Sequence, residues 1–537
     1  MANHIELAAF SETKFLDKAG KDKVRLPEKI QQSARLIKAT LPQGSEIEND
    51  LTPENFRNGV VPRLSDYDME YLPADAELAF IPEDISESLR KERSHDLIQW
   101  NRPSQVLNRL KVGKPTFDAP VEGKSHVMDR LAADGLVVSF DDLRSESPVP
   151  TNGRQSRSDI DSKIEVNIMG QGRIPFALGS VPDVGSFLSY TTMAMANGMA
   201  FVSRDKVLSN IDEQAQLVGD VINFLRTVEL PKETHPTIND LKIFKNMFNI
   251  DLRPESIESP YRGQHLEDIY FNMLRESWVG NVGAAIEADP ERALKRAEAL
   301  YEKGCRLFRI YSPEGGTEIV DTARALRQRF PDDAQIVGGQ IMDLRTASRA
   351  ENAGCNALII GVAGGSQCTT SVNADIPVNA PNLLYDLRGK IDVPVGIEGG
   401  GVGTHLMTAF ELGASFVSKP GEIGLSWEGA GGKYMFQDSK GNFYMPYGGE
   451  ASISAKWWKD SMDSFGRPKF VEGETNVRRV PKEKLSQTRN IKKLRDQTSI
   501  GLVFQRANTI AELHARPCDN IVQVTIEAGA KSQAYGQ

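Results

Sequence analysis

The sequence predicts an α/β protein, a (β/α)8 TIM barrel with an N-terminal extension, a small insertion and a C-terminal flap and tail. Three observations carry that prediction. Strand and helix signals alternate from about Leu136 onward. Eight short apolar runs are long enough for buried parallel strands. The later runs empty into glycine-rich turns, and eight β/α units with such exits fit a closed barrel better than an open sheet.

In chain order, residues 1–128 form the extension, rich in proline and charge with few long apolar runs. One helix is expected near Pro27, with Ile30, Ala34, Ile37 and Leu41 on a face. The stretch from Pro53 to Pro120 reads as extended chain lying over a surface. The region fits either a disordered tail or an arm packed on a partner subunit. The barrel is expected over 129–455. Its strands are Phe176–Val181, Met199–Ser203, Val279–Ile286, Leu307–Tyr311, Gln335–Ile341, Ala357–Val362, Val393–Ile397 and Ser415–Ser418. Between them, Ala293, Leu294, Ala297 and Leu300 share a helical face, as do Ile319, Val320, Ala323 and Leu326. Leu406, Ala409 and Phe410 repeat the pattern before Leu412-Gly413 at a C-cap. Residues 218–278 are too long for one crossover and contain Pro231, Pro236, Pro254 and Pro260, so they read as a small insertion. Residues 456–537 are a flap and a tail packing on the barrel.

Composition narrows the function. The 537 residues are 40% hydrophobic and 26% charged, ordinary values for a globular chain. A net charge of −9 with no basic stripe argues against nucleic acid as a partner. There is no apolar run of membrane length and no basic-then-apolar leader, so a cytoplasmic protein without a membrane partner is expected. Cys305, Cys355, Cys368 and Cys518 show no metal-ligand spacing, which predicts reduced thiols and no metal centre.

The most informative stretch is Asn356 to Thr370. A buried strand ends in Gly364-Gly365-Ser366, and Cys368-Thr369-Thr370 follows. Ligands in α/β proteins bind at the carboxyl ends of strands, so a thiol beside hydroxyls and free amides is placed for nucleophilic chemistry. The competing reading is a small buried cysteine in a glycine turn. Glycines also mark the next two exits, Gly399-Gly400-Gly401 and Gly421, and backbone amides from late βα loops make phosphate sites. Ser366, Gly400, Gly421 and a tyrosine of the 444–447 segment, Tyr444 or Tyr447, are expected to surround the phosphate.

Over roughly 136–455 the chain resembles the IMP dehydrogenase/GMP reductase family. The family's Gly-Ser-x-Cys-Thr-Thr loop is matched by Gly365-Ser366-Gln367-Cys368-Thr369-Thr370, and its Asp-Gly-Gly exit by Glu398-Gly399-Gly400. Its Leu-Gly-Ala-x-x-Val segment is matched by Leu412 to Val417, its Phe-Asp-Asp by Phe140-Asp141-Asp142, and its Tyr-Gly-Met-Ser-Ser by Tyr447 to Ala451. Family members often carry paired CBS modules where this chain has only residues 218–278.

The resemblance implies that the Cys368 thiolate attacks an electron-poor carbon of a purine nucleoside monophosphate. A covalent thioimidate results, with hydride passing to or from NAD or NADPH. It also implies a homotetramer or higher homo-oligomer, and a monovalent cation at the Cys368 loop. In the oxidative branch an Arg-Tyr pair on the flap activates water; this chain has none over 456–480, where the nearest analogue is Ser464-Phe465. In the reductive, ammonia-releasing branch a Thr and a Glu handle the proton, and Thr370 and Glu428 align with them. GMP-reductase-like chemistry is therefore the favoured expectation. The alternatives are IMP-dehydrogenase-like oxidation with another water-activating group, or a nucleotide-binding barrel without redox activity. Gly365, Ser366, Glu398, Gly399 and Gly400 fall on the substrate side, and Tyr311, Gln340 and Gly361 on the dinucleotide side. Four places depart from the family pattern: its ribose-binding Asp is Glu398, its strand-four Asp is Tyr311, its strand-five Asn is Gln340, and its Ser-x-x-Met-Asp segment is Ala177 to Val181. Glu398 is nonetheless expected to meet the sugar.

Overall fold

In the computed structural model, eight parallel strands close on themselves: β1 Phe176–Leu178, β2 Met199–Val202, β3 Val282–Ile286, β4 Leu307–Tyr311, β5 Gln335–Ile341, β6 Ala357–Ile360, β7 Val395–Glu398 and β8 Phe416–Ser418. Closure comes from β8 pairing with β1, Val417 opposite Phe176 and Ser418 opposite Ala177. The structure describes residues 77–79, 83–113, 119–122, 136–138, 156–205, 210–254, 256, 258–312, 315–331, 333–362, 368–374, 380–399, 406–429, 435–452, 455–456, 469–518 and 521–523. Each strand sits where the sequence predicts it, because a barrel strand is buried on both faces and reads as a continuous apolar run. Its ends are trimmed for local reasons. β1 stops before Gly179, and Val279 ends the helix Leu266–Val279, so β3 begins at Val282.

The outer helices bury the predicted stripes. Ala293, Ala297 and Leu300 are inaccessible, as are Ile319, Ala323 and Leu326. At the amino ends of the strands, a hairpin of Val166–Ile168 and Gln171–Arg173 plugs the barrel. The fully buried Arg173 donates to Asn281 Oδ1 at 2.8 Å and to the Gly280 carbonyl at 2.8 Å. At the opposite end stands an antiparallel sheet in the order Glu77–Ala79, Met435–Gln437, Phe443–Gly448, Thr475–Val480. The Gly448 amide ties it to the barrel by donating to Asp183 Oδ2 at 2.7 Å.

The extension differs from the expected extended chain. Residues 83–113 form two helices, Glu83–Trp100 and Pro103–Gly113. The first packs on the C-terminal helix Gln487–Phe504, with Arg489 Nε 2.6 Å from Glu92 Oε1 and Arg93 Nε donating to Thr192 Oγ1 at 2.8 Å. Its inward face mixes Leu89 and Leu97 with Arg93 and Asp96, so no apolar stripe announces it. The insertion holds the helix Ile238–Phe248 and most of Leu266–Val279, joined by Phe244 edge-on to Tyr270 at 5.4 Å. The helix expected near Pro27, and Phe140-Asp141-Asp142, lie outside the described residues. Among the described residues no helix is long and apolar enough to cross a membrane, and no group of three acidic, His or Cys side chains could hold a metal ion.

Candidate active site

Beyond β6, Cys368 forms an isolated antiparallel bridge with Gly473, and Gly473 bridges in turn to Ser452. Two backbone hydrogen bonds tighten this crossing, Thr369 N–H to Glu472 O at 2.8 Å and Glu472 N–H to Ala451 O at 3.1 Å. The side chains are aligned along it. Cys368 Sγ donates to Thr370 Oγ1 at 3.2 Å, and Thr370 Oγ1 donates to Glu472 Oε2 at 3.0 Å. A half-buried thiol is thus connected through one hydroxyl to one carboxylate, the arrangement a proton relay requires. The other three cysteines are buried; burial pushes Cys305 and Cys355 up to about 12, which makes them inert packing groups.

Sequence reasoning singled out Glu428, and the structure does not join it to this relay. Glu428 is fully buried, and its carboxylate accepts from the Gln487 amide at 2.9 Å and from Ser486 Oγ at 3.4 Å. Burial pushes its carboxyl up to about 6, against the pull of the Gln487 amide and Arg93. Glu472 stands beside Thr370 instead. It escaped notice because Phe470-Val471-Glu472-Gly473 carries no pattern, and the partner lies 102 residues away in sequence.

A second centre fills the barrel mouth around Glu398, the last residue of β7. Its carboxylate is gripped by both terminal nitrogens of Arg309 from β4, Nη1 at 3.1 Å from Oε1 and Nη2 on Oε2. Oε1 also accepts from Ser418 Oγ of β8 at 2.8 Å, and Oε2 from Gln340 Nε2 of β5 at 2.7 Å. Arg309, 1% exposed, donates further to Ser180 Oγ at 3.1 Å and lies over the Tyr311 ring at 4.9 Å. A Cβ on Gly179 would collide with Glu398 Oε1. All four departures from the family pattern therefore touch one network. The signal for Arg309 was a lone charge inside Leu307-Phe308-Arg309-Ile310-Tyr311, on an inward-facing position.

A third group adjoins it. Arg204, just after β2, pairs with Glu450 at 3.2 Å and donates to the Tyr311 carbonyl at 3.3 Å. Burial alone would lower the Arg204 guanidinium, but Glu450 and Asp205 outweigh that and raise it. Burial raises the Tyr311 hydroxyl well above its usual value, with Glu450 and Glu398 adding to the effect.

The remaining predicted residues divide. Gly421, in the short helix Pro420–Gly424 after β8, lies against Tyr447; a Cβ there would be 3.1 Å from the Tyr447 hydroxyl. Tyr444 instead donates to Asp438 Oδ2 at 3.0 Å within its own hairpin. Gly399 has φ +89, a conformation that favours glycine at this exit. Gly361, φ +124, packs so closely on the Glu398 carbonyl that a Cβ would collide, which gives it a structural role. Gly365, Ser366, Gly400, Ser464 and Phe465 lie outside the described residues, as does most of the loop expected to hold a monovalent cation.

One segment links several of these groups. Residues 447–452 set Tyr447 against Gly421, Gly448 on Asp183, Glu450 on Arg204, Ala451 on Glu472 and Ser452 on Gly473 beside Cys368.

Comparison with known proteins agrees with this fold. Residues 138–534 match the family model described as the IMP dehydrogenase / GMP reductase domain. Inosine-5'-monophosphate dehydrogenase of Toxoplasma gondii is 33% identical over 180 residues, covering 32% of this chain and 32% of that protein. The enzyme of the same name from Helicobacter pylori is 28% identical over 254 residues, 46% of this chain and 48% of its own. That of Rhodopirellula baltica is 24% identical over 340 residues, 62% and 53% respectively. The matched stretch spans about a third of the Toxoplasma protein's length.

Proposed function

Because the chain belongs to the IMP dehydrogenase/GMP reductase family, we propose that it is a nicotinamide-dependent oxidoreductase acting on a purine nucleoside monophosphate through a covalent intermediate on Cys368. The observation that carries the reading is the chain from Cys368 Sγ through Thr370 Oγ1 to Glu472 Oε2.

The favoured reaction is reductive deamination. Sulfur adds to the purine carbon that bears the exocyclic amine, a C–S bond forms, and the C–N bond breaks. The thiol's own proton, held between Thr370 and Glu472, departs with the amine as ammonia, so this step balances without an external acid. A reduced nicotinamide, when bound, supplies the hydride that replaces sulfur on that carbon. The released thiolate regains a proton from water. Gly421 and Tyr447 fit the phosphate side. Tyr311, half-buried beside Arg204, fits the dinucleotide side: the Arg204 Nε is buried and has no partner among the described residues, which leaves a donor for a polar group of the cofactor. The absence of an Arg-Tyr pair over 456–480 supports this direction.

A second reading is favoured by Glu472 itself. In the oxidative direction the same hydroxyl and carboxylate can take a proton from the water that displaces sulfur, without an Arg-Tyr flap. The names of the matched relatives point the same way. The test is to supply GMP, IMP and XMP with oxidised or reduced NAD or NADP and follow reduced-nicotinamide absorbance. Consumption with GMP supports the first reading and formation with IMP the second. Silence with all three nucleotides removes both.

A further inference from the structure

A carboxylate offers about four acceptor positions, two on each oxygen. At Glu398 all of them are taken: Oε1 by Arg309 Nη1 and Ser418, Oε2 by Arg309 Nη2 and Gln340. A sugar diol arriving at this strand exit finds no free acceptor on Glu398. Breaking the pair to make one would strand a guanidinium that is 1% exposed, which is strongly unfavourable. The surroundings are shaped to keep the pair closed. Gly179 leaves room for the longer Glu side chain, Ser180 holds the far side of Arg309, and Tyr311 lies under it.

We propose that Arg309 is a specificity-determining residue: by saturating Glu398 it removes the ribose 2′-hydroxyl from recognition, so the site takes 2′-deoxyribonucleoside and ribonucleoside monophosphates alike. The inference rests on the purine-nucleotide reading above. A site built to hydrogen-bond a hydroxyl rejects the analogue lacking it, because its own polar groups are left unpaired. Here the loss of the hydroxyl leaves nothing unpaired at Glu398.

The test is calorimetric titration of the full chain with GMP, IMP and their 2′-deoxy forms. For a nucleotide that binds, the two Kd values should agree within about threefold. A ribonucleotide preference greater than that overturns the inference while leaving the broader reading intact. Failure of every purine monophosphate to bind overturns both. In Arg309→Lys the charge stays but the two-pronged grip is lost, which frees part of Glu398. The ribonucleotide preference should then rise above wild type, to about tenfold. A folded Lys variant with the wild-type ratio contradicts the role given to Arg309. If that variant does not fold, the wild-type ratio decides.

Discussion

Glu472 accepts from Thr370 at 3.0 Å, whereas Glu428 is sealed in with Ser486 and Gln487. If Glu472 carries the proton, Glu472→Gln and Thr370→Val should each slow turnover by ~10²–10⁴-fold. Glu428→Gln should leave kcat within about threefold of wild type. The reverse ranking in steady-state kinetics would return the role to Glu428. The buried carboxyl has a different signature. Its folded pKa is about 6, above the usual 4.5, so the folded state holds the proton more tightly than the unfolded chain. That contribution is fully present below the unfolded value and is lost as pH rises through about 6, a change of ~2 kcal/mol. Denaturant titrations at about pH 4 and about pH 7 should show wild type losing ~2 kcal/mol relative to Glu428→Gln. Equal pH dependence in the two proteins would contradict the assignment. The sequence revealed Cys368 and Thr370 because they share a short motif. Glu472 was illegible because only the crossing of two distant loops brings it to them.

At the level of elements, the eight barrel strands were legible because burial on both faces makes each a largely apolar run. Arg309 is an interruption that chemistry at the barrel mouth explains. The helix Glu83–Trp100 was not legible, since Arg93 and Asp96 break its inward face and proline-rich flanks suggest extended chain. Its packing on Gln487–Phe504 makes Leu97, 6% exposed, part of the common core. Leu97→Ala should cost about 2–5 kcal/mol in equilibrium unfolding; a loss below about 0.5 kcal/mol, the level of an exposed site, would show that the helix does not dock. The contact between β6 and β7 is stricter. Gly361 combines φ +124 with backbone contact to Glu398, so Gly361→Ala must displace one strand exit from the other. Thermal unfolding should show a marked fall in Tm, and an unchanged Tm would mean the two exits are not packed as described.

For the whole molecule, residues 447–452 cross the barrel mouth and set Tyr447, Glu450, Ala451 and Ser452 against Gly421, Arg204, Glu472 and Gly473. The fold class followed from local patterns, while this convergence depends on chain closure over hundreds of residues and has no local signature. In sequence the departures from the family pattern divide between the substrate side, at Glu398, and the dinucleotide side, at Tyr311 and Gln340. In space they form one network around the Glu398 carboxylate. A covalent bond from Cys368 to the purine is tested most directly by turnover of wild type and Cys368→Ala with GMP, IMP and XMP and each nicotinamide cofactor, alongside calorimetric nucleotide binding. Wild type should turn over at least one pair, and the variant should bind that nucleotide without turning it over; wild-type turnover by Cys368→Ala would contradict the account.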